Sequence, residues 1–215
     1  MTKRHELEHH QRSLSEIREI MNSMKTLAYL ETRKLDRFLK SQRDVVSDIE
    51  IAAADFLDFY PETLPKSASG DRIYLLIGSE RGFCGNFNQK LQRHLEPSLA
   101  DLPEGKATVI AVGRKLYSLL EDYPCPVIPV AGATVGEEIG DTLNLIVREL
   151  TAQRQRSVVA FYALYHGSDN AIVAHQLLPP FQHLLYHQQE EPHEPVLHLV
   201  PRKFLLEMSY HYLFV

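Results

Sequence analysis

The chain has 215 residues, of which 44% are hydrophobic, and its 23 lysines and arginines against 28 aspartates and glutamates give a net charge of −5. That balance disfavours a general nucleic-acid binder, which needs clustered cations to neutralise phosphates. Two cysteines and the absence of any apolar run of about 18–20 residues exclude a disulfide scaffold and a protein that inserts directly into a membrane. We therefore expect a soluble protein with one or two domains and a sizeable core.

The first sixty residues contain neither proline nor glycine, and a heptad pattern runs through them. Counted in sevens from Leu7, thirteen of the sixteen a and d positions are apolar. A repeat that keeps step over eight heptads predicts a coiled-coil seam on one helix, from about His5 to Phe59 and roughly 80 Å long. Such a helix is longer than a compact domain is wide, so we expect it to project and to need a partner. The partner is either a second copy of the chain or another long helix of the same protein, and the spacing does not choose between them.

After a linker at residues 61–71, short β-branched runs alternate with helical stretches, which indicates an α/β domain. The turn GSDN between the last two runs predicts an antiparallel hairpin at the end of a mostly parallel sheet covered on both faces. The predicted strands are residues 73–78, 107–113, 127–130, 157–166 and 171–179, and the predicted helices are residues 86–94, 114–123 and 135–155. The predicted organisation is a coiled-coil helix at 1–60, the linker, a Rossmann-like α/β domain at 72–190, and a loop with the start of a second helix at 191–215.

The loop that follows the first predicted strand is the most unusual local sequence. Loops at the carboxyl ends of parallel strands often bind phosphates, but the glycine spacing here fits neither GxGxxG nor GxxxxGK[ST]. We interpret Gly82 and Gly85 as turn glycines with positive φ, beside an Arg81 that bonds neighbouring carbonyls. The residues of this motif loop are Ser79, Glu80, Arg81, Gly82, Phe83, Cys84, Gly85 and Asn86.

Three segments together carry a family resemblance. The loop SERGFCGNFN resembles a family loop SDRGLCGGLN, and LVPRKFLLEM resembles LLPRYLEVQ. The helical segment EIREIMNSMKTLAYLETRK is similar to TQKITKAMKMVAAAKLRRA, with Ile20, Met24 and Lys25 aligned without a gap. The order of helix, α/β domain and helix start also agrees. On these segments the chain is identified as a member of the gamma-subunit family of F-type ATP synthases, and the resemblance covers nearly the whole chain.

The resemblance implies a central-stalk rotor subunit of a rotary ATP synthase, with its two terminal helices wound into an antiparallel coiled coil inside the catalytic hexamer. The implied partners are the alpha and beta subunits of that hexamer, the epsilon subunit and the membrane rotor ring of c subunits. Ion flow would turn the shaft, and ATP synthesis or hydrolysis would occur on other subunits, so no catalytic residue, metal or cofactor is implied here. The N-terminal residues resemble neither a secretory signal nor a transit peptide, which favours bacteria. The resemblance then implies a peripheral place on the cytoplasmic face of the bacterial plasma membrane, as part of the ATP synthase.

The resemblance also gives a candidate subunit interface on the first helix. Residues 25–43 carry six cations against two anions, a local charge of +4, which on the family interpretation faces acidic loops of the catalytic subunits. The alternative is a solvated face with pairs such as Asp36 and Lys40. The candidate interface residues are Met24, Lys25, Arg33, Lys34, Arg37 and Lys40.

The chain stops a few turns after Pro201, where the family's second long helix begins. We therefore expect a longer protein interrupted by truncation, proteolysis or a broken reading frame.

Three further features are weighed. His183 and His187 have a spacing that can ligate zinc, but without accompanying cysteines or acids we expect no metal site. Cys84 and Cys125 are interpreted as two separate buried thiols. The alternative function is a stand-alone nucleotide- or phosphate-binding α/β module that dimerises through its helix.

Overall fold

A computed structural model describes residues 2–65, 70–153, 158–167, 169, 171–186 and 195–214. They belong to two compact units, Met1–Val45 and Val46–Val215. The first helix, α1, runs without interruption over Thr2–Phe59 and confirms the long helix expected from the sequence. Within the part of the chain that the structure describes, no helix is both long enough and apolar enough to cross a bilayer.

The continuity of α1 follows from its composition. It lacks both helix breakers, and this absence accounts for the unbroken run. Several hydroxyl side chains donate to the carbonyl of the preceding turn, as Thr26 does to Asn22 at 3.0 Å, without interrupting the helix. The helix ends just before Pro61, because proline disfavours helical backbone in the residue before it. A short 3-10 turn, Pro61–Thr63, follows, and the Thr63 hydroxyl donates to the Tyr60 carbonyl at 2.7 Å.

The second unit contains a five-stranded sheet of order β3-β2-β1-β4-β5. The first four strands are parallel, and β5 pairs with β4 in the antiparallel sense, which confirms the predicted mostly parallel sheet and its hairpin. The strands are β1 at Asp71–Ile77, β2 at Ala107–Val112, β3 at Val127–Val130, β4 at Val158–His166 and β5 at Ile172–Leu178.

Helices cover both faces of this sheet, as the strand pattern predicts. On one face, α2 (Phe87–Ala100) and α3 (Arg114–Leu120) bury leucines such as Leu91 and Leu116 against the strands. On the other face, α4 (Ile139–Ala152) buries Ile146. The alternation of side chains along each strand supplies both cores.

Three of the predicted helices differ in extent from the observed ones. The helix α3 ends at Leu120 and not at residue 123. The helix α2 extends six residues past His94 with Pro97 inside it, because Leu95 and Leu99 still pack on the sheet and this burial outweighs the lost backbone hydrogen bond. The predicted 135–155 helix begins with a separate 3-10 turn, Gly136–Glu138, before α4 starts.

The last helix, α5 (Pro201–Phe214), packs against the last turns of α1. Phe204 contacts Phe56 with ring centroids 5.1 Å apart, and Tyr212 bonds to Glu50. A later residue of α5 thus contacts an earlier residue of α1, so the two segments are antiparallel. Their shared core is called the α1–α5 cluster and consists of Ala53, Phe56, Leu57, Leu64, Phe181, Leu205, Met208 and Tyr212.

Candidate functional site

The motif loop lies at the carboxyl edge of the sheet, directly after β1. Its first residue is fixed to α2 by Asn88, which accepts from the Ser79 backbone N–H at 3.0 Å and donates to the Ser79 hydroxyl at 2.9 Å. The Ser79 carbonyl accepts from the backbone N–H of Lys115 at 3.2 Å. The start of the loop is therefore held between the first turns of α2 and α3.

Glu80 is the most constrained side chain of the loop. Its carboxylate accepts backbone N–H groups from Arg114 at 3.0 Å and Gly132 at 2.9 Å, and it pairs with the Arg114 guanidinium. The Glu80 side chain is only 6% exposed, whereas that of Arg114 is 82% exposed. Burial acts to raise the pKa of Glu80, but these hydrogen bonds and the guanidinium outweigh it and lower the pKa below its ordinary value.

This arrangement bears on the nucleotide-binding alternative. In phosphate-binding α/β proteins, the backbone N–H groups at the edge of the sheet and the start of a helix receive the anion. Here the N–H groups of Arg114 and Gly132 are already occupied by the carboxylate of Glu80. A phosphate at this position would have to displace a buried, hydrogen-bonded anion, and the geometry therefore argues against the alternative.

Gly113 joins β2 to α3 and passes close to the motif loop. Its φ is +104°, and a Cβ built on it would lie 2.6 Å from the Ser79 carbonyl oxygen. Residues that carry a Cβ rarely adopt such a φ, and the Ser79 carbonyl oxygen belongs to the backbone, so it cannot rotate away as a flexible side chain could. Glycine is thus required here by both conformation and space.

We predict that Gly113→Ala lowers the free energy of unfolding by at least about 2 kcal/mol, because strain and a backbone clash act together. Gly140→Ala is the matched control, since a Cβ at this helical position meets nothing within 4 Å. The control should leave stability unchanged or raise it by up to about 1 kcal/mol. Urea denaturation followed by circular dichroism measures both, and equal stability of the two variants would contradict the prediction.

The tip of the motif loop is exposed from Arg81 to Asn86. Gly85 has a positive φ of 57°, as predicted, but Gly82 does not; the second positive φ, 63°, belongs to Phe83. The prediction for Gly82 was therefore wrong, and a fully exposed phenylalanine in left-handed backbone takes that place. The hydrogen bond that Arg81 makes within the loop is through its backbone carbonyl, which accepts from the Cys84 thiol at 3.5 Å.

The two cysteines differ in environment, and both are free. Cys125 is partly buried beside the α2–α3 core, and burial raises the pKa of its thiol. Cys84 is exposed at the loop tip. The expectation of two buried thiols was therefore wrong for Cys84, because its side chain follows the loop outward instead of packing on the sheet.

The six candidate interface residues of α1 lie in the unit Met1–Val45, and all six side chains are exposed. Arg33, Arg37 and Lys40 follow one another at spacings of four and three, which places them on one face of α1. The Arg33 guanidinium lies 5.6 Å from the centre of the Tyr29 ring on the same helix. The ion pair considered between Asp36 and Lys40 is not formed in the described helix.

The heptad seam of the same unit is also exposed. Along α1, large apolar side chains remain uncovered over several turns, including Leu14 at 63%, Met24 at 57% and Phe38 at 59% exposure. Contiguous apolar surface of this kind marks an interaction face, because each uncovered side chain forfeits about 1.5–3 kcal/mol. The helix thus presents an apolar face that includes Met24 and a basic face that includes Arg37.

The sequence model of the ATP synthase family matches residues 3–215. The chain belongs to the ATP synthase family. The ATP synthase gamma chain of Moorella thermoacetica is 31% identical over 153 residues, which cover 66% of this chain and 50% of that relative. The mitochondrial ATP synthase subunit gamma of Yarrowia lipolytica is 26% identical over 117 residues, or 54% of this chain and 38% of the relative. Within the ATP synthase family, the present chain is a gamma subunit. Its matched segments span 50% and 38% of the lengths of these two relatives.

Among solved structures, the central stalk and c-ring structure of the Tetrahymena thermophila mitochondrial ATP synthase contains a chain that matches with a TM-score of 0.46 and 17% identity. That alignment covers 81% of this chain and 88% of the other. A rotor structure of the Euglena gracilis mitochondrial ATP synthase matches with a TM-score of 0.42 and 16% identity, over 81% and 77% of the two chains.

Two features of this ATP synthase family member were missed by sequence reasoning. One is the hydrogen bonding of Glu80 to the backbone N–H groups of Arg114 and Gly132, which lie 34 and 52 positions away from it in the chain. The other is a polar cluster around Glu50 and Tyr212, which are 162 positions apart. No local sequence pattern predicts either one, because each joins residues that are far apart in the chain.

The histidine pair considered as a zinc site is His183 and His187, and His187 lies outside the described residues. The described residues contain no group of three potential metal ligands.

Proposed function

We propose that the chain acts as the central-stalk rotor subunit of a rotary ATP synthase, coupling ion translocation in the membrane sector to ATP synthesis or hydrolysis in the catalytic hexamer. The single observation that carries this proposal is the 58-residue helix α1, whose heptad seam stays exposed over most of its length. Two wound helices give the stiffness that torque transmission requires.

The contacts of α5 support the coiled-coil part of the proposal. The segment Pro201–Phe214 already runs antiparallel to the last turns of α1 and buries Leu205 and Met208 there. In this proposal α5 belongs to the second shaft helix, which pairs with α1 along the heptad seam. Residues 1–60 are then one strand of the shaft, residues 61–71 the linker, residues 72–190 the basal domain and residues 191–215 the entry to the second strand.

The exposed side chains support the choice of partners. We assign the basic face of α1 to contacts with acidic loops of the alpha and beta subunits. Epsilon and the ring of c subunits are assigned to the sheet domain, which offers the exposed motif loop. With these partners the chain is a peripheral, non-catalytic part of a complex at the cytoplasmic face of a bacterial plasma membrane.

The basic face gives a direct test. We predict that reversing Arg33, Arg37 and Lys40 to glutamate weakens association with the cognate alpha and beta subunits by about tenfold at low salt, because several attractions become repulsions. The difference should shrink near 1 M salt, where charges are screened beyond about 3 Å. Co-purification and surface-immobilised binding of the full chain measure the effect.

The matched control is the charge-conserving set Arg33→Lys, Arg37→Lys and Lys40→Arg, which should bind as the unchanged chain does. If reversal and control bind alike at low salt, the basic face is not the interface.

Titration of the unchanged chain with ATP and ADP distinguishes the rotor function from the alternative, a nucleotide- or phosphate-binding module. Micromolar nucleotide binding that is lost when Gly82 and Gly85 are replaced would favour the phosphate-binding module over the rotor.

A further inference from the structure

Four polar side chains from four elements meet beside the α1–α5 cluster. Glu50 comes from α1, His175 from β5, His183 from the 3-10 turn Gln182–Tyr186, and Tyr212 from α5. All lie in the unit Val46–Val215. The Tyr212 hydroxyl donates to Glu50 Oε1 at 3.1 Å, and His175 Nε2 lies 2.8 Å from the same hydroxyl. His183 Nε2 lies 3.4 Å from Glu50 Oε1. The set is called the Glu50 cluster.

The direction of each hydrogen bond follows from the donors available. Because the Tyr212 O–H donates to Glu50, the Tyr212 oxygen is left as an acceptor, and His175 must donate through an N–H on Nε2. Burial and the neighbouring Glu50 carboxylate raise the pKa of Tyr212, so its hydroxyl stays protonated and continues to donate. A neutral His175 satisfies this chain of bonds completely.

A second proton on the His175 ring has an unfavourable setting. Its ring centroid lies 6.2 Å from that of His183. Both imidazoles face Glu50, the one carboxylate of the cluster, which already accepts from Tyr212. Burial of His175 and the nearby His183 lower the pKa of His175, and the opposing attraction of Glu50 is smaller. Tyr165, from β4, is a further titratable group that interacts electrostatically with Tyr212.

We propose that the Glu50 cluster is an acid-sensitive lock: at neutral pH it holds α5 to the last turns of α1 and to β5, and it loosens when the half-buried His175 ring takes up a second proton beside Tyr212 and His183. The consequence is a junction whose strength depends on pH over the range in which imidazoles titrate. The inference goes beyond the proposed rotor function and does not rest on it, because it concerns contacts inside one compact unit.

The sign of the pH dependence follows from proton linkage. His175 binds its second proton less readily in the folded chain than in the unfolded chain, so below the ordinary histidine pKa of about 6.5 the unfolded chain holds more protons. The stabilisation is complete above that pH and is lost as the pH falls toward the lower folded value. The loss amounts to about tenfold in the opening equilibrium for each unit by which the pKa is lowered.

Hydrogen exchange of the full chain tests the lock. After correction for intrinsic rates, the amides of residues 202–214 should be less protected near pH 5.5 than near pH 7.5, by several-fold on the scale of about tenfold per unit of pKa. His175→Gln should abolish this pH dependence, because an amide keeps a donor for Tyr212 but does not titrate. His94→Gln, at an exposed position on α2, should leave it intact.

An NMR titration of the histidine rings keeps the proposal testable even where His175→Gln folds poorly. The His175 ring should titrate below the ordinary histidine pKa of about 6.5, and its midpoint should move upward in His183→Gln, which removes the neighbouring imidazole. A His175 midpoint at or above about 6.5, or equal protection of α5 at both pH values, would overturn the lock. Assembly with alpha and beta subunits is measured separately, so failure of the lock is distinguishable from failure of the rotor function.

Discussion

Phe56→Ala is expected to lower the free energy of unfolding of the second unit by about 3–5 kcal/mol. Phe56 is 1% exposed in the α1–α5 cluster. Its ring stacks on Tyr60 and contacts Phe204, with centroids 5.1 Å away in both cases. Truncation removes the transfer free energy of the ring and leaves a cavity between two helices that cannot close without shifting one of them. Urea denaturation followed by circular dichroism gives the value.

The control for this substitution is Ile51→Ala, five residues earlier on the same helix. Ile51 is 56% exposed, so its truncation removes little buried surface and should change stability by less than about 0.5 kcal/mol. Alanine has a slightly better helix propensity than isoleucine, which separates helix formation from packing. A comparable loss in the two variants would mean that α1, and not the α1–α5 cluster, sets the stability.

The same contacts explain why the last turns of α1 belong to the second unit. The heptad pattern continues unchanged through Phe59, and it therefore carries no sign of a division near Val45 and Val46. The division arises because Ala53, Phe56 and their neighbours pack against α5. A tertiary partner decides it, and no property of the helix itself could have predicted it.

The fold class could be predicted because its signals are periodic. An unbroken run of helix formers gave α1, and alternating β-branched runs gave the strands in their observed order. Both faces of the central strands are buried, which is why the β2 segment is a nearly continuous apolar run, interrupted by the buried Thr108. Periodic signals also survive small errors in position, so the order of elements was reliable even where their ends were not.

Helix ends were harder to predict because packing competes with local preference. Pro97 is a breaker by sequence, yet α2 passes through it, since Leu99 beyond it is partly buried on the sheet. Local propensities differ by only a few kcal/mol even for proline, and burial of one large side chain is of the same order.

Some features of the candidate site could likewise be predicted from the sequence, and others could not. The exposed basic face of α1 follows from helical spacing alone, and so does the apolar seam. The backbone of the motif loop did not follow, because glycine content suggested positive φ at Gly82 and the structure puts it at Phe83. A non-glycine residue in that conformation costs about 1–2 kcal/mol, and only the surrounding contacts can impose it.

The second large effect is expected at Glu80. Glu80→Ala should lower the free energy of unfolding by about 2–4 kcal/mol, because it leaves the backbone N–H groups of Arg114 and Gly132 without their acceptor. Glu80→Gln should cost less, about 1–2 kcal/mol, since its single oxygen can still accept both N–H groups while its amide meets the Arg114 guanidinium donor to donor. The matched control is Glu121→Gln, an exposed acid at the other end of α3.

The pH dependence distinguishes this carboxylate from an ordinary structural contact. The pKa of Glu80 is lower in the folded chain than its ordinary value of 4.5, so its contribution is fully present above that pH and is lost as the pH falls toward the lower folded value. Between about pH 5 and pH 3, the unchanged chain and Glu121→Gln should therefore lose stability more steeply than Glu80→Gln. Parallel acid profiles of Glu80→Gln and the unchanged chain would show that the carboxylate is not bound as described. Since the same charge occupies the N–H groups that a phosphate would need, a confirmed profile would also mean that the carboxyl edge of this sheet is closed to anions at neutral pH.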